Sequence, residues 1–175
     1  MTRTDELLRA LADIAQGPFE QATILPREFY VSDEILALEQ ANIFVKEWHC
    51  IGREADIPEA GDYITVDFGP YALILLHHDD GSVRALHNVC RHRAMRLLTE
   101  PCNQKVIVCT WHAWCYGLEG DLVRTPRVGG DNKHTQSGLD VETLGLVPVA
   151  LACWNDMIFV NIDGKAEAFE SHIKP

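Results

Sequence analysis

The first apolar pattern in the chain has the three- and four-residue spacing of an amphipathic helix. Five apolar side chains between Thr4 and Gln16 share one face: Leu7, Leu8, Leu11, Ile14 and Ala15. Gly17-Pro18 then ends the pattern. A second helical face begins at Ser32, a typical N-cap residue, and has apolar positions at Ile35, Leu38, Ala41, Val45 and Trp48. Together these patterns predict an N-terminal helical segment over residues 1–45.

From Asp62 the pattern changes to the two-residue alternation of a β-strand. The continuous apolar run from Tyr71 to Leu76 predicts a strand covered on both faces, and Asp79-Asp80-Gly81 is a hairpin signal. Further strands are predicted within residues 82–89, 105–109, 146–153 and 157–162. The predicted fold is mostly β, made of small antiparallel sheets, in a domain over residues 46–163. Residues 164–175 are predicted to be a tail or the start of a linker.

Composition and charge narrow the class of protein. The chain has 175 residues, which fits one domain with an attached helical segment. Its formal net charge of −11 argues against a nucleic-acid partner, because phosphate binding needs clustered Lys and Arg. No apolar run is long enough to cross a membrane, and the N-terminal residues lack the apolar core of a secretory signal. We therefore expect a cytoplasmic protein.

Candidate chemistry is concentrated between Cys90 and His112. The chain reads Cys90-Arg91-His92, then sixteen residues, then Cys109-Thr110-Trp111-His112. Two cysteines and two histidines, one of each in two short stretches, form the ligand set of a Rieske-type 2Fe-2S cluster. Zinc is the alternative, although structural zinc sites usually pair Cys with Cys and His with His. The four other cysteines are expected to be small buried side chains rather than ligands or disulfide partners: Cys50, Cys102, Cys115 and Cys153.

The residues around these ligands carry a family resemblance. The runs CRHRAMRLL from Cys90 and CTWHAWCYGLEGDL from Cys109 resemble the Rieske domain of ring-hydroxylating oxygenase alpha subunits. The resemblance covers Phe29 to Asp163. It implies that Cys90, His92, Cys109 and His112 bind a 2Fe-2S cluster. It also implies an electron donor, either an NAD(P)H-dependent reductase or a ferredoxin, and delivery of the electrons to a mononuclear Fe(II) in a catalytic oxygenase domain.

In this family a ligand histidine passes the electron to a carboxylate of a neighbouring subunit, and the resemblance leaves His92 and His112 both open for that role. It implies a homotrimer as well. Tyr116 matches a family tyrosine and is expected to donate a hydrogen bond to the cluster, while Trp111 and Trp114 are expected to shield it from water. Met95, Trp111 and Trp114 stand where respiratory Rieske proteins have a disulfide and a serine donor. We therefore expect a potential at the low end of the Rieske range.

Two residues depart from the family pattern. Ala94 stands where glycine is usual, which would cost about 1 kcal/mol if the position needs a positive φ. Thr110 stands where proline is usual, so this position regains a backbone N–H. Three arginines lie near the first stretch: Arg91, Arg93 and Arg96. They are expected either to be solvated or paired with the abundant acids, or to dock an acidic electron donor or the neighbouring subunit.

The chain has no recognisable catalytic iron site. A facial triad needs two histidines and a carboxylate, and after His112 only His134, in a predicted surface loop, and His172 remain. The chain is therefore interpreted as an oxidoreductase component whose catalytic iron lies beyond Pro175 or on another polypeptide. A stand-alone Rieske-type ferredoxin is the alternative, and a zinc-binding interaction module is a third. The sequence does not identify a substrate.

Overall fold

A computed structural model describes residues 3–130 and 138–174. The predicted surface loop over residues 125–139 is only partly covered, and its His134 lies outside the described residues. The chain divides into two compact units, one ending at Lys46 and one starting at Glu47. In the part of the chain that the structure describes, no helix is both long enough and apolar enough to cross a bilayer.

The first unit is helical, as the apolar spacing predicts. Its helices are α1 (Arg3–Gln16), α2 (Glu28–Val31) and α3 (Asp33–Glu39), and α3 continues as a wider, π-type turn over Gln40–Phe44. The Ser32 hydroxyl caps α3 by accepting a hydrogen bond from the Ile35 N–H at 3.4 Å. The predicted second helical face is too long, because the helical turns end at Phe44 and Trp48 belongs to the second unit.

The second unit contains a seven-stranded antiparallel sheet with the order β1-β10-β9-β4-β3-β2-β5. Its strands are β1 (His49–Arg53), β2 (Asp62–Phe68), β3 (Tyr71–His77), β4 (Val83–His87), β5 (Cys102–Asn103), β9 (Pro148–Trp154) and β10 (Met157–Asn161). A second sheet has three short strands, β6 (Ile107–Val108), β7 (Cys115–Tyr116) and β8 (Leu122–Arg124). The predicted class, mostly β with small antiparallel sheets, is confirmed.

Strand β3 separates two cores, as its continuous apolar run predicts. Leu73 and Leu75 face one core, and Ile74 and Leu76 face the other, with none of the four exposed to solvent. The Ile74 core also includes Cys90, Cys109, Trp114 and Tyr116. The two stretches that contain the predicted ligands are therefore built into a hydrophobic core rather than attached to its surface.

The end of the chain is held against the large sheet. Strands β9 and β10 form the predicted hairpin, with Asn155 and Asp156 in its turn at φ 50° and 67°. A short helix, α4 (Phe169–His172), follows, and Phe169 is buried against the Trp48 and Phe159 rings. The Trp48 indole N–H donates to the Glu167 carbonyl at 2.9 Å. The predicted tail is thus packed on the domain up to this helix.

Candidate metal centre

The two cysteine-histidine loops grow from the ends of strands. The first follows β4 and is closed by an isolated bridge between Val89 and Arg96. The second connects β6 to β7. Cys90 and Cys109 are each only 2% exposed, whereas the side chain of His92 is half-buried and that of His112 is exposed. Each loop therefore places its thiol in the core and its imidazole nearer the surface.

The two loops have the same backbone closure. In the first, the Cys90 N–H donates to the Met95 carbonyl at 2.8 Å and the Ala94 N–H donates to the Cys90 carbonyl at 2.9 Å. In the second, the corresponding bonds run from Cys109 to the Trp114 carbonyl and from Ala113 to the Cys109 carbonyl, at 2.8 and 2.9 Å. The fourth residue after each cysteine is an alanine with positive φ, 56° in the first loop and 55° in the second. The position of the histidine differs between the loops, since it lies two residues after Cys90 but three after Cys109.

We expect Ala94→Gly to raise the free energy of unfolding by about 0.5–1 kcal/mol. Relief of the left-handed conformation outweighs the extra freedom that glycine gives the unfolded chain. The Ala94 side chain is exposed, so little packing is lost. Urea unfolding measures the change. Ala72→Gly, at an ordinary strand position of β3, is the matched control and should change stability in the opposite direction. A loss of stability in both variants would contradict strain at Ala94.

The histidine side chains fit a group that takes two ligands per metal. The His92 and His112 rings lie 4.7 Å apart between centroids, at 81° to each other. The Nδ1 atom of His92 is buried and has no hydrogen-bond partner, and an orphaned nitrogen of this kind suits a metal ligand. Within residues 3–130 and 138–174, no three His, Cys, Asp or Glu side chains are grouped around one point. A Rieske-type cluster instead needs a pair of ligands on each of two irons.

Burial shifts the pKa values of two predicted ligands, Cys90 and His92. Burial raises the pKa of the Cys90 thiol, and the neighbouring Cys109 thiol raises it further, while the Tyr116 hydrogen bond acts in the opposite direction. Burial lowers the pKa of His92, and the nearby His112 adds to the effect. Both effects favour the neutral imidazole that a metal ligand needs, whereas the thiol has to lose its proton when it binds iron.

Tyr116 connects the two loops. It follows the second loop in β7 and is completely buried, and its hydroxyl lies 3.2 Å from the Cys90 Sγ in the first loop. The same hydroxyl accepts a hydrogen bond from the Arg91 N–H at 3.0 Å. Burial raises the pKa of Tyr116, so the phenol stays protonated. A thiolate only accepts, so the hydroxyl donates to Cys90 once that thiol is ionised.

Tyr116→Phe is expected to lower the reduction potential while leaving the cluster in place. A donor to ligand sulfur stabilises the reduced state, and losing about 1 kcal/mol of that preference shifts a one-electron potential by roughly 40 mV. An EPR-monitored redox titration measures the shift. Tyr63→Phe, at another buried tyrosine of the same core, is the control. Equal potentials for wild type and Tyr116→Phe would show that the hydroxyl does not act on the cluster.

Asn88 anchors the first loop, and the sequence analysis did not identify it. Its side chain is completely buried, donates to the Leu98 carbonyl at 2.7 Å, and accepts from the N–H groups of Leu97 and Leu98 at 3.1 and 2.9 Å. These bonds join the residue two before Cys90 to the chain that leaves the loop. The amide oxygen thereby accepts two hydrogen bonds and the amide nitrogen donates one.

The two tryptophans have different positions. Trp114 is buried and stacks on His92, with centroids 4.7 Å apart and an angle of 11° between the rings. Trp111 is 60% exposed, so the prediction that it shields the cluster as a core aromatic is wrong. The backbone closure explains the difference, because Trp114 is the residue whose carbonyl closes the loop, while Trp111 lies at its tip.

The other candidate side chains have ordinary roles. Arg96 pairs with Asp67 at 2.9 Å and also donates to the Leu98 carbonyl. The remaining cysteines are free thiols; of these, Cys50, Cys102 and Cys153 are exposed rather than buried as predicted, and only Cys115 is buried. The Cys115 thiol donates to the Ala113 carbonyl at 3.2 Å and so lies beside the second loop.

Comparison with known proteins agrees with this geometry. Residues 47–154 match the family model of the Rieske [2Fe-2S] domain. The glycine betaine monooxygenase oxygenase subunit of Chromohalobacter salexigens is 34% identical over 150 residues, which cover 85% of this chain and 32% of that protein.

Two solved structures are also similar. Naphthalene 1,2-dioxygenase from Rhodococcus sp. has a TM-score of 0.82 and 28% identity, over 96% of this chain and 37% of that one. A quaternary ammonium Rieske monooxygenase, whose structure is described as giving insight into carnitine oxidation and inter-subunit electron transfer, has a TM-score of 0.74 and 29% identity, over 83% of this chain and 39% of that one.

The fold and the family match define an iron-sulfur domain, and the chain belongs to the Rieske [2Fe-2S] domain family. More particularly, it is a Rieske domain of the kind found in the alpha subunits of Rieske oxygenases. Domains of this family bind a 2Fe-2S cluster. The chain spans between 32% and 39% of the length of the three relatives named above.

Proposed function

We propose that this chain carries single electrons through a 2Fe-2S cluster held by Cys90, His92, Cys109 and His112. The observation that carries the assignment is the buried, unpartnered Nδ1 of His92, in a ring 4.7 Å from that of His112. Two cysteines would bind one iron and two histidines the other. When bound, such a cluster supplies reversible one-electron reduction at about −150 to +300 mV.

The surrounding residues hold the ligands in place and exclude water. Asn88 fixes the base of the first loop, and Tyr116 joins that loop to the second. Trp114 covers one face of the His92 imidazole. Because each histidine uses one nitrogen for iron, its second ring nitrogen is left to bond a partner.

We propose His112 as the residue through which the electron leaves. The sequence does not indicate whether the electron leaves through His92 or through His112. In the structure the His112 side chain is exposed, whereas that of His92 is half-buried beneath Trp114. The acceptor would be a carboxylate beside a mononuclear Fe(II) in a catalytic oxygenase domain, in the same or a neighbouring subunit. A similar structure described as revealing inter-subunit electron transfer supports this route.

The remaining parts of the proposal concern the whole protein. The donor would be an NAD(P)H-dependent reductase or a ferredoxin, and the assembly a homotrimer. Relatives named for glycine betaine, carnitine and naphthalene leave quaternary amines and aromatic rings both open as substrate classes. A reducing, cytoplasmic compartment suits thiolate ligands. Residues 1–45, 46–163 and 164–175 remain the predicted helical segment, Rieske domain and tail.

An EPR spectrum of the anaerobically purified, dithionite-reduced chain tests this function, together with iron and zinc analysis. We expect a rhombic signal and about two irons per chain. Cys102→Ser and Cys153→Ser are matched controls, since both cysteines are exposed and outside the ligand set, and they should leave the spectrum unchanged. A chain that holds one zinc and gives no EPR signal would instead be a zinc-binding module.

A further inference from the structure

Two concave faces are lined by residues of the two cysteine-histidine loops. The first-loop face has a volume of about 590 Å³ and is lined by Tyr71, Val89, Arg91, Arg93, Ala94 and Val147, with Cys90 at its base. The second-loop face has a volume of about 850 Å³ and includes Trp111, His112, Arg124 and Arg127. His92 lines both. An electron carrier has to be reached by both a donor and an acceptor, and these two faces provide separate routes.

The charge of the first-loop face is opposite to that of the chain. The net charge is −11, yet among residues 3–130 and 138–174 no aspartate or glutamate lines this face. Arg91 and Arg93 are exposed at its rim. Among the residues that the structure describes, neither guanidinium group forms an ion pair, and that of Arg91 donates to the Thr143 carbonyl at 3.4 Å. Both guanidinium groups are therefore available to a partner, in contrast to Arg96, which is paired with Asp67.

The same face also has apolar lining residues. Tyr71 and Val89 are half-buried and Val147 is 40% exposed, so the face combines a modest hydrophobic patch with the two arginines. Transient protein complexes combine such a patch with a charged rim, in which the rim accelerates encounter. Because Cys90 lies at the base, a protein seated here would be close to the proposed ligands.

We propose that the first-loop face docks the electron donor, and that this donor is an acidic one-electron carrier protein. The inference rests on the proposed function, in which the exposed His112 assigns the second-loop face to the acceptor. In the docked complex the carrier is oxidised by one electron and this domain is reduced by one. No bond forms or breaks, and no further reactant is needed.

The test uses a plant-type ferredoxin as the acidic carrier. Stopped-flow mixing of the reduced ferredoxin with the oxidised, cluster-loaded chain gives a second-order rate constant at low ionic strength. Arg93→Gln is expected to lower that rate constant by about threefold to tenfold, and the Arg91→Gln/Arg93→Gln double variant by more, with a weaker dependence on salt. Arg53→Gln removes the same charge at a distant exposed site and should leave the rate unchanged.

A second electron donor distinguishes an effect of the substitution on docking from an effect on the metal centre itself. Reduced methyl viologen is a cation, so its reaction with the chain should not be slowed by Arg93→Gln. If viologen reduction slows as much as ferredoxin reduction does, the arginine supports the centre itself and the docking proposal is overturned. If Arg124→Gln reproduces the loss seen for Arg93→Gln, the carrier uses the second-loop face, which equally overturns the proposal.

Calorimetric binding of oxidised ferredoxin tests the face without electron transfer. Weaker binding by Arg93→Gln than by Arg53→Gln supports the proposal, and equal affinities overturn it. Sedimentation of the chain alone identifies a competing occupant, because a self-associated form lost in Arg93→Gln would make this face a contact between copies. Failure of viologen to reduce the wild-type chain would refute the proposed function, while the binding comparison would still decide the docking face.

Discussion

Asn88→Leu is expected to lower the free energy of unfolding by about 3 kcal/mol or more, the largest stability effect that we predict. The side chain makes three hydrogen bonds and is completely buried. Leucine has a similar size but leaves the Leu97 N–H, the Leu98 N–H and the Leu98 carbonyl without these partners. Each buried polar group left unsatisfied costs about 1–3 kcal/mol. Urea unfolding of the metal-free chain measures the loss.

The same substitution should also affect the metal centre. Asn88 joins the two ends of the loop that carries Cys90 and His92, so losing it lets the loop open and lowers the iron retained during purification. Asn103→Leu is the matched control, since Asn103 is exposed and its side chain donates to the Ala60 carbonyl and the Asp62 carboxylate. An exposed site of this kind should cost about 1 kcal/mol or less. Similar losses in the two variants would rule out a special role for Asn88.

His92→Cys is expected to lower the reduction potential by an amount on the order of 100 mV, if the two-iron cluster is retained. Thiolate adds negative charge, and four-cysteine clusters lie near −400 mV whereas Rieske clusters lie between about −150 and +300 mV. His112→Cys should act in the same direction with a smaller shift, because His112 is exposed and solvent screens the added charge, whereas His92 is half-buried under Trp114.

Redox titration followed by EPR measures both shifts, with iron analysis to show that two irons remain. His172→Cys makes the same chemical change in α4, away from the loops, and should leave the potential unchanged. An unchanged potential in an intact cluster of His92→Cys or His112→Cys would remove that histidine from the ligand set. Equal shifts in the two variants would show that solvent does not screen the added charge more strongly at position 112 than at position 92.

Much of the fold and of the candidate site follows from local sequence patterns. The continuous apolar run in β3 predicts burial on both faces, and Leu73 to Leu76 are indeed fully buried. The glycine usual at position 94 in the family indicates a left-handed residue there, and Ala94 has a φ of 56°. The first prediction comes from the residues of β3 themselves, whereas the second comes from the family resemblance.

The features that could not be predicted depend on contacts between distant residues. Nothing near Asn88 in the sequence indicates that its amide meets Leu97 and Leu98, because that contact exists only once the loop has closed. Trp111 and Trp114 are residues of the same type and lie close together in the sequence. Which of the two rings is buried follows from the backbone closure of the loop through the Trp114 carbonyl. The burial of Phe169 likewise depends on its contact with Trp48, which lies 121 positions earlier in the chain.

Tyr116 has a consequence for the speed of electron transfer. Its hydroxyl joins the backbone and the thiol of the first loop to a residue fixed in the strand that follows the second. A change of one electron in charge can therefore displace the two loops only slightly relative to each other, since any separation breaks hydrogen bonds inside a closed core. Small nuclear displacement means a small reorganisation energy. A domain built this way can exchange electrons rapidly even when the donor and acceptor differ little in potential.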